Sequence, residues 1–146
     1  MSQIVELEIP ARAEFLAVAR LVVVSAASIE PAFTEERLDN LRLAVSEACT
    51  NAIEAHRNGQ NEDRVHIRCD LNDERIEVEV VDRGNGFDPD DIEALPDVED
   101  PRRLDHENGL GLMMMRHFTD EAEIRSSTNG TAVRLVVYSL PDFAGS

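Results

Sequence analysis

Apolar and polar side chains alternate from Gln3 to Ile9, the period of a half-buried strand, and Pro10 ends the run. Residues 13–27 predict a helix with Phe15, Val18, Ala19, Val22 and Val23 on one side, and Pro31 breaks the chain after it. Thr34 followed by Glu35 and Glu36 marks a helix start, with acidic groups where the helix dipole favours them. Leu38, Leu41, Val45, Ala48, Ala52 and Ala55 recur at spacings of three and four, so the longest helix runs to residue 55. Asn58 and Gly59 stop it.

Strict alternation returns over Val65 to Leu71 and again over Ile76 to Val81, with Asn72 and Asp73 as the turn of a hairpin. Residues 88–107 are acidic, carry Pro89, Pro96 and Pro101, and hold no sustained period. A loop this long inside one domain is usually functional or mobile. A glycine-initiated helix is predicted over 109–118, strands over 122–126 and 131–138, and a hairpin turn at Asn129 and Gly130. The order β-α-α-β-β-loop-α-β-β predicts an α/β two-layer sandwich in which a mixed, mostly antiparallel sheet carries helices on one face. Residues 1–146 are expected to form a single domain.

Composition narrows the chemistry. The chain is 42% hydrophobic and 30% charged, without an apolar run of membrane-spanning length or a basic, apolar leader. Cys49 and Cys69 make neither a metal spacing nor a disulfide framework, which fits a reducing cytoplasm. The four histidines form no ligand spacing. A net charge of -16 opposes direct contact with nucleic acid and suits either plain solubility or a basic protein partner. All fourteen basic residues are Arg, so a P-loop lysine, the strand lysine of eukaryotic-type protein kinases and Schiff-base chemistry are excluded.

Three constellations carry chemistry. Glu47 and Asn51 lie four apart on one helix face, at the border of its apolar stripe. A carboxylate and a carboxamide there suit a divalent cation beside a polarised nucleophile, though a solvated helix face carries the same residues. Asp82, Gly84 and Gly86 follow an apolar strand. The Asp can accept from an amino group such as that of adenine, and the glycines let backbone approach a ligand; a strand-ending turn uses the same residues. Gly109, Leu110 and Gly111 open a helix, where free N–H groups and the dipole attract an anion, or where glycine eases close packing. Met113, Met114 and Met115 read as plastic core and lid packing.

The order and spacing of these motifs, with Gly130 and Thr131 starting a strand, resemble the GHKL ATPases over roughly residues 35–138. That superfamily includes gyrase, histidine-kinase catalytic domains, mismatch-repair proteins and a heat-shock chaperone. The stretch Leu41 to Ile53 (Leu-Arg-Leu-Ala-Val-Ser-Glu-Ala-Cys-Thr-Asn-Ala-Ile) looks more narrowly like the bacterial anti-sigma-factor serine/threonine kinases. The resemblance implies a Bergerat-type ATP-binding fold that uses ATP and Mg2+. It makes Glu47 the base, Asn51 the Mg2+ ligand, and Asp82 the reader of the adenine amino group. Gly84 and Gly86 would line the adenine pocket, Gly109, Leu110 and Gly111 would hold phosphates, and Thr131 would support adenine through water. Residues 88–108 would be the ATP lid.

The implied activity is phosphorylation of a Ser or Thr on a small antagonist protein, joined to sequestration of a sigma factor and to possible homodimerisation. A histidine kinase acting in cis is not expected, because no His precedes His56 and only about thirty residues precede the long helix. Two departures from the family pattern stand out. Ala55 and His56 replace the usual His-Ala, and His106, Glu107 and Asn108 stand where relatives can carry an Arg. Arg102 and Arg103 are the nearest guanidinium groups. The second departure keeps an alternative open, an ATP-switched partner-binding module without useful transfer.

Overall fold

Alternating strands build the sheet on which the helices of this molecule pack. The computed structural model describes residues 2–54, 64–82, 107–127 and 130–139. Its elements are β1 (Gln3–Pro10), a single 3-10 turn (Ala13–Phe15), α1 (Leu16–Ala27), α2 (Glu35–Glu54), β2 (Arg64–Leu71), β3 (Arg75–Asp82), α3 (Glu107–Phe118), β4 (Glu121–Ser127) and β5 (Gly130–Tyr138). Asn72 closes the β2–β3 hairpin as an Asx turn, its Oδ1 accepting from the amides of Glu74 at 2.8 Å and Arg75 at 2.9 Å. Thr34 caps α2, its Oγ1 accepting from the Arg37 amide at 3.2 Å.

The five strands form one sheet in the order β1-β2-β3-β5-β4, and every described ladder is antiparallel. The parallel component allowed for from sequence is therefore absent among the described residues. The helices lie on one face: α1 packs against β1 and β2, α2 against β2, β3 and β5, and α3 against α2 and β4. Alternation makes that face apolar, with Val65, Ile67, Cys69 and Leu71 from β2 beside Ile76, Val78 and Val80 from β3. From α2 come Leu41, Ala44, Val45, Ala48, Cys49 and Ala52, all buried. Burying a side chain of Leu or Val size contributes about 1.5–3 kcal/mol, so this stripe fixes which way α2 faces.

The opposite face carries charge in alternation. One row across the five strands reads Glu6, Arg68, Glu79, Arg134, Glu123, each opposite the next. Opposite charges on facing positions stabilise a sheet and like charges destabilise it, so the row supports the observed register. Arg68 lies 3.5 Å from Glu6, and Arg134 lies 3.1 Å from Glu77 and 3.3 Å from Glu121. Val136 points to this face between Glu77 and Glu121, yet is fully buried there.

Three expectations need correction. Val18, placed inward from sequence, is 44% exposed, while Ala19, Val23, Ala26 and Ala27 are the buried residues of α1. Arg20 is the one charged residue of that helix, so its own period could not select a face. Only Met115 of the three methionines is core; Met113 and Met114 are exposed. The last hairpin closes with Ser127 opposite Gly130, one position earlier than the Asn129–Gly130 signal implied, and Gly130 takes a positive φ of 138°.

Burial raises the Glu77 carboxyl pKa, but hydrogen bonds and charge from Arg134 and Arg75 outweigh it and hold the group below the ordinary glutamate range. A depressed folded pKa gives stability that is complete above the unfolded value, about 4.3, and fades as pH falls through the folded one. Glu77→Gln is therefore expected to cost about 1 kcal/mol at pH 7 in urea unfolding. The difference from the unsubstituted protein should close below about pH 4; an unchanged gap in acid would exclude charge as its origin.

Candidate functional site

Asp82 ends β3 in line with Ile76, Val78 and Val80, so it extends their apolar row on the helix-covered face. It is 4% exposed and is the one buried charged side chain among the described residues. A carboxylate there needs specific compensation, because burying an isolated charge is costly. On β5 it stands directly opposite Thr131, which is half-buried, and on β2 opposite the fully buried Val65. Both Asp82 and Thr131 engage in polar or electrostatic interactions. Two residues singled out separately in the sequence are thus cross-strand neighbours.

Glu47 and Asn51 are half-buried on α2, beside the buried Ala48, Cys49 and Ala52. The Asn51 Oδ1 is buried and accepts no hydrogen bond among the described residues. A buried acceptor left unsatisfied costs about 1–3 kcal/mol, which a cation or donor at that oxygen would recover. Cys49 and Cys69 are free, buried thiols, pushed up to about 12 and about 11 by desolvation, with Cys69 adding to the effect at Cys49. They pack, and stay protonated at neutral pH.

The course of α2 relates the two pairs. At its first turn, Arg37 donates from Nε to the Tyr138 carbonyl at 3.0 Å and from Nη2 to the same oxygen at 2.8 Å. Nη2 also donates to Asp120, whose Oδ2 accepts the Tyr138 amide at 2.7 Å. The start of α2 is thereby tied to the last residue of β5, and the helix packs onto β5 and β3. Fourteen residues of helix, Arg37 to Asn51, advance about 21 Å. Seven residues of strand, Tyr138 back to Thr131, advance about 23 Å. The lengths match, so α2 carries Glu47 and Asn51 toward the Asp82–Thr131 end of the sheet. Arg37 was not singled out from sequence: its partner lies 101 positions away and no local pattern marks it.

Gly109, Leu110 and Gly111 sit within α3, which begins at Glu107 and packs on α2. In a helix with that start the Gly111 amide is already one turn in, and only the amides up to about Gly109 remain open to an anion. Gly84, Gly86, Arg102, Arg103, His106 and lid residues 88–106 lie outside the described residues.

The sequence profile of the histidine kinase-like ATPase domain matches residues 9–137, nearly the whole chain. The chain belongs to this family, and it groups with the serine-protein kinases within it. The serine-protein kinase RsbW of Bacillus velezensis is 34% identical over 137 residues, which cover 92% of this chain and 84% of that one. The RsbW of Bacillus subtilis is 32% identical over the same shares of both chains. Among solved structures, one of the RsbU and RsbW domains of a Mycobacterium tuberculosis protein superposes with a TM-score of 0.66 at 18% identity, covering 92% of this chain and 31% of that one. The SiaB–SiaC complex of Pseudomonas aeruginosa contributes a chain at 0.64 and 14% identity, covering 91% and 89%. At those identities the structures share the fold.

Asp82→Asn replaces an acceptor-only carboxylate with an amide at the position suited to the adenine amino group. It is expected to weaken ATP binding by about 1–3 kcal/mol, and GTP, which lacks that amino group, should bind the unsubstituted protein poorly. Calorimetry with both nucleotides is the check; equal affinities would remove Asp82 from adenine recognition.

Proposed function

We propose that this chain binds Mg·ATP between α2, α3 and the Asp82–Thr131 end of the sheet, and transfers the γ-phosphoryl to a Ser or Thr of a small antagonist protein. It also sequesters a sigma factor, in keeping with its anti-sigma-kinase resemblance. The observation that carries this reading is the matched course of α2 along β5, which takes Glu47 and Asn51 toward Asp82 and Thr131 in a chain 34% identical to a serine-protein kinase. The SiaB–SiaC complex, one chain of which shares this fold, supports the protein-partner part of it.

Each residue then has one task. Asp82 accepts from the adenine amino group, and Thr131 supports that contact across the strand pair. The unpartnered Asn51 Oδ1 suits Mg2+, a hard cation that takes oxygen ligands and would neutralise phosphate charge when bound. The open amides near Gly109 stabilise phosphate oxygens without any lysine. Glu47, one turn before Asn51, takes the proton of the attacking hydroxyl as its oxygen bonds to the γ-phosphorus. The bond from that phosphorus to the β-phosphate oxygen breaks, and ADP leaves. Phosphoryl transfer rests mainly on such positioning and charge stabilisation.

A second reading, ATP-switched partner binding without transfer, is favoured by His106, Glu107 and Asn108 in place of a lid arginine. Glu47→Ala separates the two. Removing a positioned base should lower the transfer rate by about 10²–10⁴-fold while Mg·ATP affinity is kept. Labelled ATP and a captured antagonist protein give the measurement. Equal rates for both proteins would dismiss Glu47 as the base, and no transfer by either, with ATP still altering partner affinity, would favour the switch.

A further inference from the structure

We infer that Arg37 is a positioning residue for the phosphate half of the site: its clamp on Tyr138 and Asp120 sets how far α2 is advanced along β5, and so where Asn51 stands relative to Asp82. The inference rests on the proposed roles of Asn51 and Asp82.

The two halves of the site are held by different means. Asp82 and Thr131 are fixed by the β3–β5 ladder, whose register is set by backbone bonding along its whole length. Asn51 belongs to a helix that rests on the sheet through side chains, and beside Leu41 and Val45 the buried residues of that helix are small: Ala44, Ala48, Cys49 and Ala52. Small side chains make shallow ridges, and they resist sliding along a sheet less than large interdigitated ones do. Axial position therefore needs a separate stop.

Arg37 supplies that stop. Its guanidinium makes two bonds to the Tyr138 carbonyl, at 3.0 and 2.8 Å, and pairs with Asp120, which also accepts the Tyr138 amide at 2.7 Å. The Arg37 side chain is 13% exposed and that of Asp120 25%, so the pair is partly shielded from water. Such a planar fork fixes direction as well as distance, which a lysine does not do. Asp120 itself is anchored, its amide donating to the Val136 carbonyl at 2.8 Å. The stop thus bears on the same strand that carries Thr131 at its other end.

The test is ATP calorimetry on the whole chain with Mg2+ and with excess EDTA, for unsubstituted protein, Arg37→Ala and Asp120→Asn, well below each melting temperature. Affinity in EDTA reports the adenine half and should stay within about twofold, while the gain produced by Mg2+ should fall about tenfold, a usual size for coupling between two sites. Arg37→Lys, which retains a donor without the fork, should fall between and serves if the alanine variant does not fold. A folded Arg37 variant that keeps the full Mg2+ gain overturns the inference, as does an equal loss with and without Mg2+, the mark of a general structural role. If the unsubstituted protein shows no Mg2+ gain, or Asp82→Asn binds ATP normally, the site reading itself fails and the inference falls with it.

Discussion

The seating of α2 on the sheet is the contact that the rest of the molecule depends on. Leu41 and Val45 fill volume beside the small Ala44, Ala48, Cys49 and Ala52, all of them buried, and the helix packs on β2, β3 and β5. The same helix is flanked by α1 and α3, so every helix of the described layer touches it. A larger residue at Ala48 or Ala52 would lift the helix and strain its neighbours, since packed interiors respond even to one added methylene. The residues assigned to phosphate chemistry sit at the margin of this stripe, half in the core and half out of it.

Asp82 shows what a buried carboxylate asks of a fold. Every other described member of its row on β3 is apolar, and a valine there would be the choice for stability alone. A buried carboxylate is tolerated when specific partners compensate it, and local conflict of this kind is expected at functional positions. The Asn51 Oδ1, which accepts no hydrogen bond among the described residues, is a second such conflict, on the helix that packs over the sheet.

The outer face of the sheet solves a different problem. With 30 acidic and 14 basic residues, the chain has too few cations to pair every carboxylate. Arg68 and Arg134 are spent in the middle of the alternating row, and Arg134 reaches both Glu77 and Glu121. The surplus of negative charge suits either plain solubility or a partner of basic surface.

Local order was legible in the sequence. The alternation in β1, β2, β3 and β5, the three-four stripe of α2 and the Thr34 start all reflect interactions within a few residues, and those patterns repeat with a fixed period. The Glu47–Asn51 pair was legible for the same reason, because a helix places residues four apart on one face. Residues far apart in sequence met only through the tertiary structure. That β5 inserts between β3 and β4, putting Thr131 opposite Asp82, follows from strand pairing and leaves no local mark. Which side of the nearly all-apolar α1 is buried was settled by what it packs against, so Val18 faces out. The Arg37 bond to Tyr138 spans 101 positions, and its payoff in hydrogen bonds exists only after the sheet has formed. Period fixes a residue's face within its own element; only packing between elements decides which faces meet.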